Sequence, residues 1–325
     1  MGYDSKALHA ALVRFEEQKQ QREENFLRRE NEILQREPRL MEIKQELAGT
    51  VTEIMTKALR TGADTEKALE EIKRKNLALQ QERALLLRLL GYPENALTPE
   101  PACPLCHDTG YTDKGMCTCL KKFYLEEQRK SLSRLLDVEG QSFDSFSLDK
   151  YSTELKRNGI SPYELAEKAL DTCFYFARRF GTQRQNLLLM GTPGTGKTHL
   201  SAAIARMVSD KGYSVVYDTA SHIFAGFEQE KFNRDSEEDR MNNEGVMKAD
   251  LLIIDDLGTE MLTEFVKATL YTIINTRLME KRCTVINTNL RDDALEERYG
   301  AAIASRLTGE YICLPLIGDD LRKKK

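Results

Sequence analysis

The sequence predicts an α/β fold: a five-stranded parallel sheet between helices, behind a long helical region and a small cysteine module. Three observations carry this. From Ser161 onward five short apolar runs alternate with helix-patterned segments, as in a parallel sheet covered on both faces. The first run leads straight into Gly191-Thr192-Pro193-Gly194-Thr195-Gly196-Lys197-Thr198, a glycine-rich turn followed by a helix former. The third run ends in the paired acids Asp255 and Asp256.

In chain order, residues 1–91 read as a helical, coiled-coil-like region. Residues 4–90 hold 17 Lys and Arg against 16 Asp and Glu, so the faces are mixed and solvated. Leu8, Leu12, Phe15, Phe26 and Ile33 form one apolar seam. Leu40, Ile43, Leu47, Val51 and Ile54 form a second, and Leu69, Ile72, Leu79, Leu86 and Leu90 a third. Pro38 suits the first turn of the second helix, and Thr61-Gly62-Ala63-Asp64 reads as a stop and an N-cap. Lys19 and Arg22 interrupt the seam, so an antiparallel packet of two or three helices, or a pair completed by a partner, is expected over a long coiled coil.

Residues 92–120 read as a proline-spaced linker and a metal module. Four of the seven cysteines, Cys103, Cys106, Cys117 and Cys119, fall within 17 residues. A CxxC turn puts two thiolates on one knuckle, and the CxC can complete a tetrahedral site suited to structural Zn²⁺. The CxC spacing is tighter than the usual second knuckle, and His107 is an alternative ligand. Residues 121–160 read as a connecting helix and an extended lead-in. Residues 161–325 form the sheet domain, with a helix to Phe180 and strands at 187–190, 214–218, 251–255, 284–287 and 311–314. Asn233–Glu244 reads as an acidic loop.

The net charge is only −4, so any polyanion contact must be a local patch; the one obvious basic cluster is Arg322–Lys325. No apolar run approaches the roughly 20 residues of a membrane span, and the start is too charged for a signal peptide. A cytoplasmic protein without a membrane partner is expected.

The glycine-rich loop is suited to a nucleoside triphosphate, because its backbone N–H groups curl around phosphate and the following helix points its positive end there. Lys197 would neutralise the outer phosphates, while Thr198 and Asp255 would hold Mg²⁺. Downstream, Val285–Asn289 ends in polar amides, followed by Arg298, Ser305-Arg306-Leu307 and Arg322. An Asn at that strand end can orient the attacking water, and an arginine fork can supply charge to a neighbouring subunit.

With these residues in place the chain resembles the AAA+ ATPases of the bacterial replicative helicase-loader family, the DnaC and DnaI type, and their relative, the IstB transposition helper. The resemblance runs over about residues 140–322, through Gly191–Thr198, Leu251–Gly258, Thr288-Asn289 and Ser305-Arg306-Leu307. It implies an AAA+ P-loop NTPase domain that binds ATP through Gly191, Thr192, Pro193, Gly194, Thr195, Gly196, Lys197, Thr198 and His199. It further implies Asp255 as the Walker B magnesium ligand, Asn289 as sensor 1, Arg306 as arginine finger and Arg322 as sensor 2. Asp256 stands where most AAA+ proteins carry a water-polarising glutamate; being a methylene shorter, it predicts slow, partner-stimulated hydrolysis. The cysteine module is similar to the zinc-bearing segment of DnaI-type loaders, which contacts the helicase. The helical lid that follows in larger AAA+ proteins is expected to be truncated after Arg322.

The function expected from the resemblance is loading of the replicative DNA helicase onto single-stranded DNA, with self-association through the AAA+ domain. The alternatives are an IstB-like transposition helper and an AAA+ adaptor that binds only protein. For DNA contact, Lys231 and Phe232 are candidates for phosphate and base, whereas Ile223, Phe224 and Phe227 at helical spacing read as core.

Overall fold

The computed structural model describes residues 3–58, 63–136, 141–154, 159–232 and 237–321. It divides into two compact units, residues 14–117 and residues 1–13 with 118–325.

The unit 14–117 is built on α1 (Ser5–Arg36, from Arg14 onward), α2 (Pro38–Ala58) and α3 (Ala63–Leu89). Pro38 opens α2, where its fixed φ and missing N–H cost nothing. Thr61 and Gly62 of the expected stop lie outside the described residues. Arg39 grips both Glu82 oxygens at 2.8 and 3.0 Å, and Asn76 donates to Thr50 at 3.1 Å, which sets α2 and α3 antiparallel. Ile33, Leu34, Leu40, Leu87 and Ala96 form the core of this packet. The predicted seam residues Ile33, Leu40, Ile43, Ile72 and Leu79 are buried; the side chains of Val51, Ile54 and Leu69 lie outside the description. A two-stranded antiparallel hairpin, β1 (Tyr111–Thr112) and β2 (Gly115–Met116), follows the first cysteine pair.

The second unit opens with α4 (Thr118–Leu136) and α5 (Pro162–Arg178). Ser161 and Glu164 close a capping box around the start of α5, with Pro162 in its first turn. The elements β3 (Leu187–Met190), α6 (Lys197–Asp210), β4 (Val215–Thr219), α7 (Ala220–Phe232) and α8 (Glu237–Lys248) come next. They are followed by β5 (Leu251–Leu257), α9 (Glu264–Met279), β6 (Cys283–Thr288), α10 (Asp292–Tyr299), α11 (Ala301–Glu310) and β7 (Ile312–Pro315).

All five strands β3 to β7 are parallel, in the order β4-β5-β6-β3-β7. Alternate residues point to opposite faces. Leu187, Leu189, Leu251, Ile253 and Val285 pack with α5 and α6, while Leu188, Met190, Leu252, Ile254 and Ile286 pack under α7 to α11. The acidic stretch Asn233–Glu244 is not a loop through its length: from Glu237 it is α8. In α8, Asn243 and Val246 are buried, whereas Arg240 and Glu244 are exposed.

The β4 edge is closed by a side chain. The buried Gln128 amide of α4 accepts from Val215 N at 3.0 Å and donates to Tyr213 O at 3.0 Å and Ser209 Oγ at 2.7 Å. Tyr124 donates to the same Gln128 oxygen at 2.6 Å and accepts from Asp4 N at 3.1 Å. Asp4 is thereby tied to this edge, and Ser5 beside it meets Asn242 of α8.

Candidate nucleotide site

The carboxyl ends of β3, β5 and β6 carry or lead into Gly191–Thr198, Asp255 and Asp256, and Asn289, at one rim of the sheet. Between β6 and β7, β3 sits at the point where chain order reverses, the usual place for a ligand in an open α/β sheet. Its last residue, Met190, is level with Thr288 of β6 and Pro315 of β7. The loop Gly191–Gly196 follows and α6 begins at Lys197, with Gly196 at φ 88° as its N-cap. Glycine is required there by backbone angle and by space, since a Cβ would lie 2.7 Å from the Tyr151 hydroxyl. At Gly191 a Cβ would lie 1.9 Å from Leu316 O.

Lys197 is 5% exposed and donates from Nζ to the carbonyls of Gly191 (2.7 Å) and Thr192 (2.9 Å), so its charge sits inside the loop's own curve. Thr195 Oγ1 closes the turn on Thr192 O at 2.8 Å. Two segments flank the loop. On one side, Tyr151 donates to Thr195 O at 2.9 Å, and His199 Nε2 lies 2.8 Å from Ser142 O with its ring edge-on to Phe146. Burial holds the Tyr151 phenol above its ordinary range. On the other side, Leu321 N donates to Gly194 O at 3.0 Å and Leu316 N to Met190 O at 2.7 Å, so residues 316–321 strap across the loop.

Asp255 ends the regular part of β5, 5% exposed. Its carboxylate accepts from Tyr217 at 2.6 Å, from Asn287 Nδ2 at 2.8 Å and from Asp256 N at 2.9 Å. Burial, and then the adjacent Asp255 charge, push the Tyr217 phenol well above its ordinary value. Asn287, wholly buried in β6, also accepts from Ser201 of α6 at 2.7 Å and so links the acid to the helix behind the loop. Neither Tyr217 nor Asn287 was singled out from sequence; a polar residue inside an otherwise apolar strand is the one signal that would have found Asn287.

Asp256 interrupts the β5–β6 register, exposed and at φ 54°. A non-glycine residue in that region carries strain of about 1–3 kcal/mol, which persists only where the surroundings over-determine it. Asn289 follows β6, and its Oδ1 is buried with no hydrogen-bond partner among the described residues. Arg306 lies on α11, stacked 4.6 Å over the Tyr271 ring and donating to Tyr271 Oη at 2.9 Å and Asn275 Oδ1 at 3.3 Å. Arg322 lies outside the described residues. Ile223 and Phe224 are core, Lys231 Nζ stands 4.9 Å over Phe265, and the Phe232 side chain lies outside the description.

The sulfurs of Cys103, Cys106, Cys117 and Cys119 all lie within 4.8 Å of one another, with Cys103 and Cys117 at 3.7 Å. Tetrahedral zinc with Zn–S of about 2.3 Å puts sulfurs roughly 3.8 Å apart, so the four thiols fit that ion. The Asp108 carboxylate accepts from Ala102 N (3.0 Å) and Cys103 N (2.9 Å) and braces the knuckle. His107 is exposed and outside the cluster.

Residues 168–325 match the family model described as IstB-like ATP binding protein. Over 139 residues the chain is 27% identical to the replicative helicase loader DnaC of Escherichia coli (strain K12), covering 43% of this chain and 56% of that protein. It is 29% identical over 153 residues to the DnaC loader of Buchnera aphidicola subsp. Baizongia pistaciae (strain Bp), covering 46% and 61%. A crystal structure of the DnaC helicase loader aligns with a TM-score of 0.45 at 22% identity, covering 55% of this chain and 98% of that one. The match thus spans little more than half the length of the first of these relatives. Residues 168–325, just under half of the chain, are thus similar to the IstB-like ATP binding family, and part of the chain is similar to the DnaC helicase loaders.

Proposed function

We propose that this chain is an ATP-dependent loader of a replicative DNA helicase onto single-stranded DNA, acting in the cytoplasm, with slow hydrolysis as the release step. The observation that carries the reading is the 27% identity with the DnaC loader over 139 residues, beside a family match whose range includes Lys197 and Asp255. In this reading Gly191–Thr198 and His199 bind ATP, with Lys197 on the outer phosphates. Thr198 and Asp255 would hold Mg²⁺, which supplies charge neutralisation at the transferring phosphate. Asp256 polarises the attacking water, and Asn289, with its unspent amide oxygen, orients it. Arg306 leaves Tyr271 to reach the γ-phosphate of a neighbouring copy. The cysteine cluster binds structural Zn²⁺, and the module around it meets the helicase.

Among the described residues no helix is long and apolar enough to cross a membrane. Two measurements test the reading. Full-length protein with ATP should retain the replicative helicase in a pull-down, and its ATPase rate per subunit should rise with protein concentration and with single strands. A flat rate that ignores both, and no helicase retained, refutes it. A second reading, an IstB-like transposition helper, is favoured by the matching family description; it requires that a transposase, and not the helicase, be the retained partner.

A further inference from the structure

Beyond Asp256, β5 runs into a tight turn that closes on a buried acid. Glu260 is 6% exposed. Its carboxylate accepts from Gly258 N at 2.8 Å, from the Tyr299 hydroxyl, and from Arg298 at 3.3 Å. Arg298 also donates to the Glu260 carbonyl. Gly258 lies two residues past Asp256, whereas Arg298 and Tyr299 end the helix that Asn289 leads into. One carboxylate therefore joins the turn after β5 to the segment after β6.

Two neighbouring contacts reinforce the junction. Thr288 Oγ1 donates to Leu257 O at 2.7 Å, and Gly258, at φ 110°, is met so closely by Leu290 that a Cβ would lie 2.8 Å from its side chain. The Asp256 backbone, held in a left-handed conformation, needs such anchoring, because a free turn would relax out of it.

We propose that Glu260 is a positioning residue for ATP hydrolysis: its buried carboxylate locks the Asp256 turn against the Asn289 segment, fixing the two polar groups relative to each other. This rests on the ATPase reading above. The phosphate loop sits on β3 and makes no contact with Glu260 in this network, so loss of the lock is felt in turnover and not in nucleotide affinity.

The test uses the full-length chain and three readouts: affinity for a fluorescent ATP analogue, single-turnover hydrolysis and thermal melting. Glu260→Gln keeps the volume but removes the charge that holds Arg298. Tyr299→Phe removes one donor without leaving a cavity, and serves if the first variant does not fold. A misplacement of about 1 Å is enough to cost up to roughly 100-fold, so turnover should fall about tenfold in Glu260→Gln and less in Tyr299→Phe. Affinity should stay within about twofold of the parent, since the phosphate loop is untouched. Unchanged turnover in both variants overturns the proposal. So does a parallel loss of affinity, turnover and melting temperature, which marks a scaffold residue. A parent chain that binds no ATP, or binds it equally after Lys197→Ala, overturns the ATPase reading itself before any Glu260 variant is compared.

Discussion

Tyr217→Phe isolates the hydrogen bond that the buried Asp255 receives from β4. Three donors meet that carboxylate, and the Tyr217 hydroxyl at 2.6 Å is the shortest. A hydrogen bond to a charged group contributes about 1.5–3 kcal/mol, and a buried lone pair left without a donor is costly. The variant should therefore lose about 2 kcal/mol. In a domain of this size a loss of 1 kcal/mol lowers the melting temperature by roughly 2–4 °C, which gives about 4–8 °C. In an Asp255→Asn background the acceptor is neutral, and the same change should cost only about 1 kcal/mol. The difference, about 1 kcal/mol, is the coupling read from a double-mutant cycle. The assays are thermal melting and, for the free energies of the cycle, urea denaturation, both without nucleotide, because a bound ligand would add its own stabilisation. A melting temperature within about 1 °C of the parent, or equal losses in both backgrounds, would refute the assignment of this bond to a charged acceptor.

Lys197→Ala should weaken ATP binding by at least about 100-fold, measured by calorimetry, because the loop then lacks its cation. The full chain should carry one zinc per molecule by elemental analysis, and Cys106→Ser should lower that figure and the melting temperature together. Tyr217 also sets a pH limit. Its folded pKa is raised, so the native state holds the proton more tightly than the unfolded chain. Its contribution is fully present below the unfolded value of about 10 and declines as pH rises above that, with no loss between about pH 7 and 9. Denaturation midpoints across pH 8 to 11, compared with Tyr217→Phe, check the sign.

The architecture was legible because apolar runs and a glycine loop are local signals. Leu187–Met190 is read with its observed bounds, and the other four strands are displaced or extended by one or two residues. The β5 run extends to Leu257 because the Asp256 irregularity lets the chain rejoin β6 at Thr288, a tertiary event with no local mark. The charge pattern of 233–244 suggests a loop because Asn243, buried within it, is polar, and the buried apolar Val246 lies just beyond its end. At the site, the residues of the loop and Asp255 come from contiguous motifs. Tyr217, Asn287 and Glu260 do not, since each acts on a partner 38, 32 or 39 residues away in sequence. Only the fold brings such pairs together.

The glutamine amide seated along β4 imitates the peptide group of a missing sixth strand. An exposed sheet margin is an invitation to add another chain by backbone pairing, and here the first positions of that margin are already taken. Backbone pairing with another chain is thereby discouraged at the start of this margin. Replacing Gln128 with an apolar residue would reopen the margin and make the protein prone to aggregate.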